Sequence, residues 1–168
     1  MSGMVTDEDI TLQEALGKLL TARKQSVSTA ESCTGGYVAH LITSIPGSSA
    51  WFHGSVIAYD NEIKRKMLDV DPGILSAHGA VSEETVKAMV HGAISNMETD
   101  FAIATSGIMG PGGGSEEKPV GTVWIAAGDT HEIFTRKLLF RFDRQRNIEM
   151  TAINVLNLLR IFILSRTL

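Results

Sequence analysis

Between Ser26 and Phe140 the chain holds five short strand-like runs: SVSTA (26–30), WFHGSVIAY (51–59), DFAIATS (100–106), VGTVWIAAG (120–128) and HEIFTRKLLF (131–140). What separates them constrains the fold most. Helical patterns are interleaved with the strands, which calls for helices on both faces of a sheet. The last two runs are divided only by a turn around Asp129-Thr130, which makes an antiparallel hairpin. The expected fold class is therefore α/β, a three-layer α/β/α sandwich whose sheet is mixed and about five-stranded.

The helices can be placed in turn. From Asp9 to Lys24, Ile10, Leu12, Ala15, Leu16, Leu19 and Leu20 recur at helical spacing. Thr34, Gly35 and Gly36 open a second helix running to about Thr43, and Pro46-Gly47 closes that unit with a turn. NEIKRKML (61–68) forms a short helix capped by Asp60 or Asn61. Ser82 caps the next, with Glu83 and Glu84 in its first turn and Val86, Met89, Val90 and Ile94 along one face. A long helix begins at about Arg144.

Composition limits the function classes. A length of 168 residues with 43% hydrophobic and 20% charged residues fits one ordinary globular domain over residues 1–168. The formal charge of −4 argues against a dedicated nucleic-acid binder, which carries a basic face. The single cysteine, Cys33, cannot form an internal disulfide, and MSGMVTDEDI is acidic where a signal peptide is basic, so a cytoplasmic location is expected. AINVLNLLRIFIL (152–164), interrupted by Asn154, Asn157 and Arg160, is short for a membrane span and reads as a buried helix, with no membrane partner expected.

Three places can carry chemistry. The first is TAESCTGG (29–36), where a strand end meets a glycine-led helix and leaves backbone N–H groups for an anion. Ser32 at its mouth suits a nucleophile; spacing alone leaves Ser32 or Thr34 as a helix cap just as readily. Cys33 lacks an identifiable partner histidine and reads as a small packed side chain. His40, His53, His78, His91 and His131 are scattered without ligand spacing, so no metal site is expected.

The second is Tyr59-Asp-Asn-Glu-Ile-Lys64. A lysine of ordinary pKa, about 10.4, is neutral in only about four molecules per ten thousand at pH 7. To act as a base, Lys64 needs its pKa depressed by burial, a helix dipole or the nearby Arg65 and Lys66. A solvated lysine and a strand-end tyrosine are the alternative readings. The third place is Ser106-Gly-Ile-Met-Gly-Pro-Gly-Gly-Gly114, whose Gly107, Gly110, Gly112 and Gly113 let backbone amides approach a ligand closely. It lacks the Gly-Lys-Ser/Thr ending of a Walker loop and reads equally as a flexible connection.

Taken in order, AESCTGG, AYDNEIK, GAVSEETVKAM, TSGIMGPGGG, KPVGTVW and FDRQRN resemble the motif series of the CinA C-terminal domain family over roughly residues 10 to 165. The resemblance implies hydrolysis of the carboxamide of nicotinamide mononucleotide to nicotinate mononucleotide and ammonia, without cofactor or metal. Ser32, Tyr59 and Lys64 stand at the family's catalytic places. Ser32 would attack, Lys64 would take its proton directly or through Tyr59, and donors around Thr34 to Gly36 would hold the oxyanion. The substrate phosphate would sit on the Gly110–Gly114 loop or on Arg144, while Glu31 would either face the pyridinium ring or serve the structure.

Two positions depart from the pattern: Ser106 stands where threonine is usual, and Phe142 where a glycine commonly precedes Asp-Arg. Longer CinA proteins add a domain resembling molybdopterin-binding folds, so the expectation here is the stand-alone form, assembled as a homo-oligomer. A non-catalytic ligand-binding or interaction domain, or an amidase of another substrate, would keep the same fold.

Overall fold

The computed structural model describes residues 9–166; the acidic start of the chain, Met1 to Glu8, lies outside them. Six helices and five strands follow one another as α1 (Leu12–Arg23), β1 (Val27–Glu31), α2 (Tyr37–Thr43), β2 (Phe52–Ile57), α3 (Asn61–Leu68), α4 (Pro72–His78), α5 (Glu83–Met97), β3 (Phe101–Gly107), β4 (Thr122–Gly128), β5 (Ile133–Leu139) and α6 (Arg144–Leu164). The strands form one mixed sheet in the order β2-β1-β3-β4-β5. β1 pairs parallel with β2 and β3, and the β4–β5 hairpin continues the sheet antiparallel.

Helices cover both faces. On one, Leu16, Leu20, Val38, Ile42, Leu156, Leu159 and Phe162 of α1, α2 and α6 pack on Val27, Ile103, Val123 and Ile125. On the other, Val86, Met89, Val90 and Ala93 of α5, with Leu68 of α3, pack on Ala30, Ala102, Ala104 and Ala126. Alanine on that face brings α5 close to the sheet. Each fully buried leucine or phenylalanine contributes about 1.5–3 kcal/mol relative to exposure.

Caps fix most helix starts where the sequence puts them. Asp60, Ser82 and Asp143 accept hydrogen bonds from the amides of Ile63, Thr85 and Arg146. Three expectations are corrected. α1 starts at Leu12 rather than Asp9, because the Thr11 side chain accepts from the Glu14 amide. α4 was not anticipated, although Asp71 caps it and Pro72 supplies the preset φ of a first helical position. The α2 helix begins at Tyr37, because Gly35 and Gly36 adopt left-handed φ values of 57° and 98° and make a turn instead.

The C-terminal helix is 21 residues, longer than its apolar stretch, and by length and composition could cross a membrane. Its inner side chains, among them Leu156, Leu159 and Phe162, instead belong to the core formed with α1, α2, β3 and β4.

Candidate active site

Three chain segments leave the sheet at one edge. Ser32 follows the end of β1, tied down by its amide donating to Thr105 O of β3 at 3.0 Å. Beyond β2, the Ala58 amide donates to Glu31 O at 2.8 Å, and Tyr59 leads into the capped start of α3. β3 ends in Ser106 and Gly107, where the glycine loop begins. Carboxyl ends of parallel strands are where α/β sheets place ligands. The cleft there has a volume of about 290 Å³ and is lined by Ser32, Tyr59, Lys64, Ser106, Arg144 and the loop residues Gly107, Gly110, Gly112 and Gly113, among others.

Lys64 is the side chain with no ordinary structural explanation. It is 1% exposed, and it shares the inner face of α3 with Leu68, one turn on. Its Nζ donates to Ala58 O at 2.9 Å and lies 2.9 Å from Ser32 Oγ. Burial holds the amine below its usual pKa, only partly countered by Cys33 and Asp60. Arg65 and Lys66 supply none of that depression, correcting the expectation from sequence: both are exposed and pair with Glu62. A neutral amine in this place can accept the Ser32 proton without an intervening group.

The opening turn is sorted differently from the expectation. Glu31 is wholly buried and does not reach the cleft. One carboxylate oxygen accepts from Thr34 Oγ1 at 2.7 Å and the Val38 amide at 2.9 Å. The other accepts from the Ala39 amide at 3.0 Å, Thr29 Oγ1 at 3.2 Å and Ser55 Oγ at 3.3 Å. The first amides of α2 are thus filled from inside by Glu31, and neither Glu31 nor Thr34, Gly35 or Gly36 lines the cleft. The Gly35 amide donates to Ser32 O at 3.1 Å, so this turn buttresses Ser32 from behind. Cys33 does line the cleft, but burial pushes its thiol up to about 12, which keeps it protonated and unreactive.

Tyr59 is likewise placed apart from the expected relay. It is 61% exposed, and its hydroxyl accepts from Arg144 Nη2 at 2.9 Å rather than bridging Lys64 to Ser32. Arg144 Nη1 donates to Gly110 O at 2.8 Å, so one guanidinium joins α6, the glycine loop and the tyrosine. Phe142 does not displace it; Asp143 caps α6 immediately before Arg144. Ser106 is 1% exposed and its hydroxyl has no hydrogen-bond partner among the described residues, although the residue lines the cleft. Among the described residues the only charged side chains on the lining are Lys64 and Arg144, with no carboxylate, so the cleft suits an anion.

Sequence reasoning overlooked Asn61, Ala80, Val81 and Met109 of the lining, and Asn147 behind it. Asn147 had a signal: it follows Arg144 by three positions in FDRQRN and so shares its helix face. Lys118, also overlooked, donates to His78 O at 2.8 Å and ties the far end of the glycine loop to the turn carrying Ala80 and Val81. Among the described residues no three histidine, cysteine or acidic side chains group to hold a metal ion.

The chain is similar to proteins of known names over nearly all its described length. It is 51% identical over 150 residues to a CinA-like protein of Cytophaga hutchinsonii, covering 89% of this chain and 36% of that one, so it spans about a third of such longer relatives. It is 50% identical over 142 residues to the nicotinamide-nucleotide amidohydrolase PncC of Escherichia coli K12, covering 84% of this chain and 86% of that one. The crystal structure of competence/damage inducible protein CihA from Agrobacterium tumefaciens superposes with a TM-score of 0.87 at 38% identity, over 89% of this chain and 92% of that one. The family model of the CinA C-terminal domain matches residues 9–163, and the chain belongs to that family.

Proposed function

We propose that this protein hydrolyses the carboxamide of nicotinamide mononucleotide, giving nicotinate mononucleotide and ammonia. The observation that carries the reading is the buried Lys64 amine 2.9 Å from Ser32 Oγ in a cleft without carboxylates. The named activity of the Escherichia coli relative, which matches this chain over most of both lengths, supports the choice of substrate.

In this mechanism Ser32 Oγ bonds to the carboxamide carbon while Lys64 takes the hydroxyl proton. The tetrahedral oxyanion is met by the Cys33 amide, which donates to no backbone carbonyl among the described residues, and by the Ser106 hydroxyl. Lys64 then returns the proton to the departing nitrogen; the C–N bond breaks and ammonia leaves. Water, deprotonated by Lys64, adds to the acyl-serine, the C–O bond breaks, and Ser32 recovers its proton. Arg144 and the amides of the glycine loop receive the phosphate at the cleft mouth.

The test is to incubate purified protein with nicotinamide mononucleotide and measure ammonia and nicotinate mononucleotide. Wild-type turnover is expected, with loss of at least about a hundredfold in Ser32→Ala. Normal turnover by that variant would refute serine attack.

A further inference from the structure

Asn147 takes no place on the cleft wall, yet it is 0% exposed and both ends of its amide are engaged. Its Nδ2 donates to Met109 O at 2.9 Å, and its Oδ1 accepts from the Phe142 amide at 3.2 Å. One turn earlier on α6, Arg144 holds the next carbonyl, that of Gly110, at 2.8 Å. Two successive loop carbonyls are therefore drawn toward α6. In a planar trans peptide the C=O and the following N–H point in opposite directions. The Met109–Gly110 bond is trans, so fixing the Met109 carbonyl on Asn147 turns the Gly110 N–H away from α6.

That N–H has no acceptor among the described residues, although Gly110 is buried and lines the cleft. Buried amides are nearly always paired, so one left open on a residue that lines the cleft and whose carbonyl is held by Arg144 is a place for an anionic acceptor. The position also excludes side chains: φ is 88°, and a Cβ there would lie 2.5 Å from Val120 Cγ1. Only glycine lets the amide stand open here.

We propose that Asn147 is a positioning residue: through the Met109 carbonyl it aims the Gly110 N–H at the phosphate of the substrate, beside Arg144. The inference rests on the proposed nucleotide substrate only in naming the phosphate's owner; the seat itself is for a phosphoryl group. Asn147→Asp separates its two contacts, because the new carboxylate still accepts from the Phe142 amide but repels the Met109 carbonyl.

The experiment is a titration of inorganic phosphate into glycine-labelled protein, followed by amide resonances, for wild type, Asn147→Asp and Asn147→Ala. In wild type the Gly110 resonance should move downfield saturably. In folded Asn147→Asp the movement should vanish and phosphate should bind about ten- to a hundredfold more weakly, the loss expected for a hydrogen bond to a charged group. Turnover of nicotinamide mononucleotide by that variant should show KM raised by a similar factor with kcat within about threefold.

A wild-type Gly110 resonance indifferent to phosphate overturns the proposal even if the amide is hydrolysed. So does a variant that loses kcat at unchanged KM, or one that keeps wild-type phosphate affinity. Conversely, phosphate held at Gly110 by a protein that releases no ammonia leaves this inference standing and sinks the amidase reading. Should Asn147→Ala fail to fold, Asn147→Asp, matched in size, carries the test.

Discussion

Replacing Lys64 with methionine isolates what its buried amine does. The two side chains are similar in length, and the site is 1% exposed, so the change removes charge and hydrogen bonding while filling the same space. Two contacts go, to Ser32 Oγ and to Ala58 O, each 2.9 Å long. Leaving the Ala58 carbonyl unpaired costs about 1–3 kcal/mol. Against this, a buried ammonium carries a desolvation penalty of several kcal/mol, which the thioether avoids. The variant should therefore be as stable as wild type or more so, while loss of the base lowers turnover about 10²- to 10⁴-fold or more.

The pH dependence sharpens that test. Because burial lowers the Lys64 pKa in the folded state, the unfolded chain binds the proton more tightly. The penalty is fully present below the folded pKa, shrinks as pH rises from there toward about 10.4, and is absent above it. The stability advantage of Lys64→Met should accordingly be greatest at neutral pH and fade in alkali, as urea unfolding at several pH values would show. Wild-type kcat/KM should rise with pH through the lowered lysine pKa and level off. A folded Lys64→Met protein retaining more than a tenth of wild-type turnover would refute the assignment of the base.

Other substitutions separate binding from architecture. Arg144→Lys keeps charge but cannot hold Tyr59 and Gly110 together, so KM for nicotinamide mononucleotide should rise about tenfold with a smaller change in kcat, measured by steady-state kinetics. Glu31→Gln replaces a group accepting five hydrogen bonds by one with a single acceptor oxygen; denaturant unfolding should show a loss of about 1.5–3 kcal/mol. With its thiol pushed up to about 12, Cys33 should resist iodoacetamide at pH 8 in the folded protein and react only after unfolding, as mass spectrometry would report. Cys33→Ala should keep most of the turnover.

The architecture was legible because its signals are local. The Asp129-Thr130 turn, the caps at Asp60 and Ser82, and the alternation of strand-like and helical runs act over a few residues, and each appears in the structure. The direction of a side chain at a strand end is not local. Glu31 and Ser32 are adjacent in sequence, yet one turns into the core beneath α2 and the other into the cleft, a choice set by Ser55, Thr105 and Val38 from other elements. Lys64 was legible as a candidate. Ser32 entered as its partner only through the family resemblance, and burial as one of three causes for a lowered pKa; choosing among them depends on the fold bringing β1 and α3 within hydrogen-bond reach.

The two buried charged residues flanking Ser32 show how one fold makes one group structural and the other reactive. Glu31 accepts from five protein donors, two of them backbone amides of α2, and so has no capacity left for a ligand. Lys64 has three N–H positions when charged and finds only one carbonyl and one hydroxyl. Among the described residues no carboxylate contacts its Nζ, and Asp60 is spent capping α3. A fully supplied charge would be held as it is; an undersupplied one is destabilised until it sheds its proton. The acceptor shortage around Lys64, more than its nearness to Ser32, is what would fit it to the proposed role of base. Adding a carboxylate to the cleft that Lys64 lines, for instance by Ser106→Asp, should therefore raise the Lys64 pKa. The alkaline arm of the kcat/KM profile should move to higher pH; an unmoved arm would mean that Lys64 is not the group being titrated.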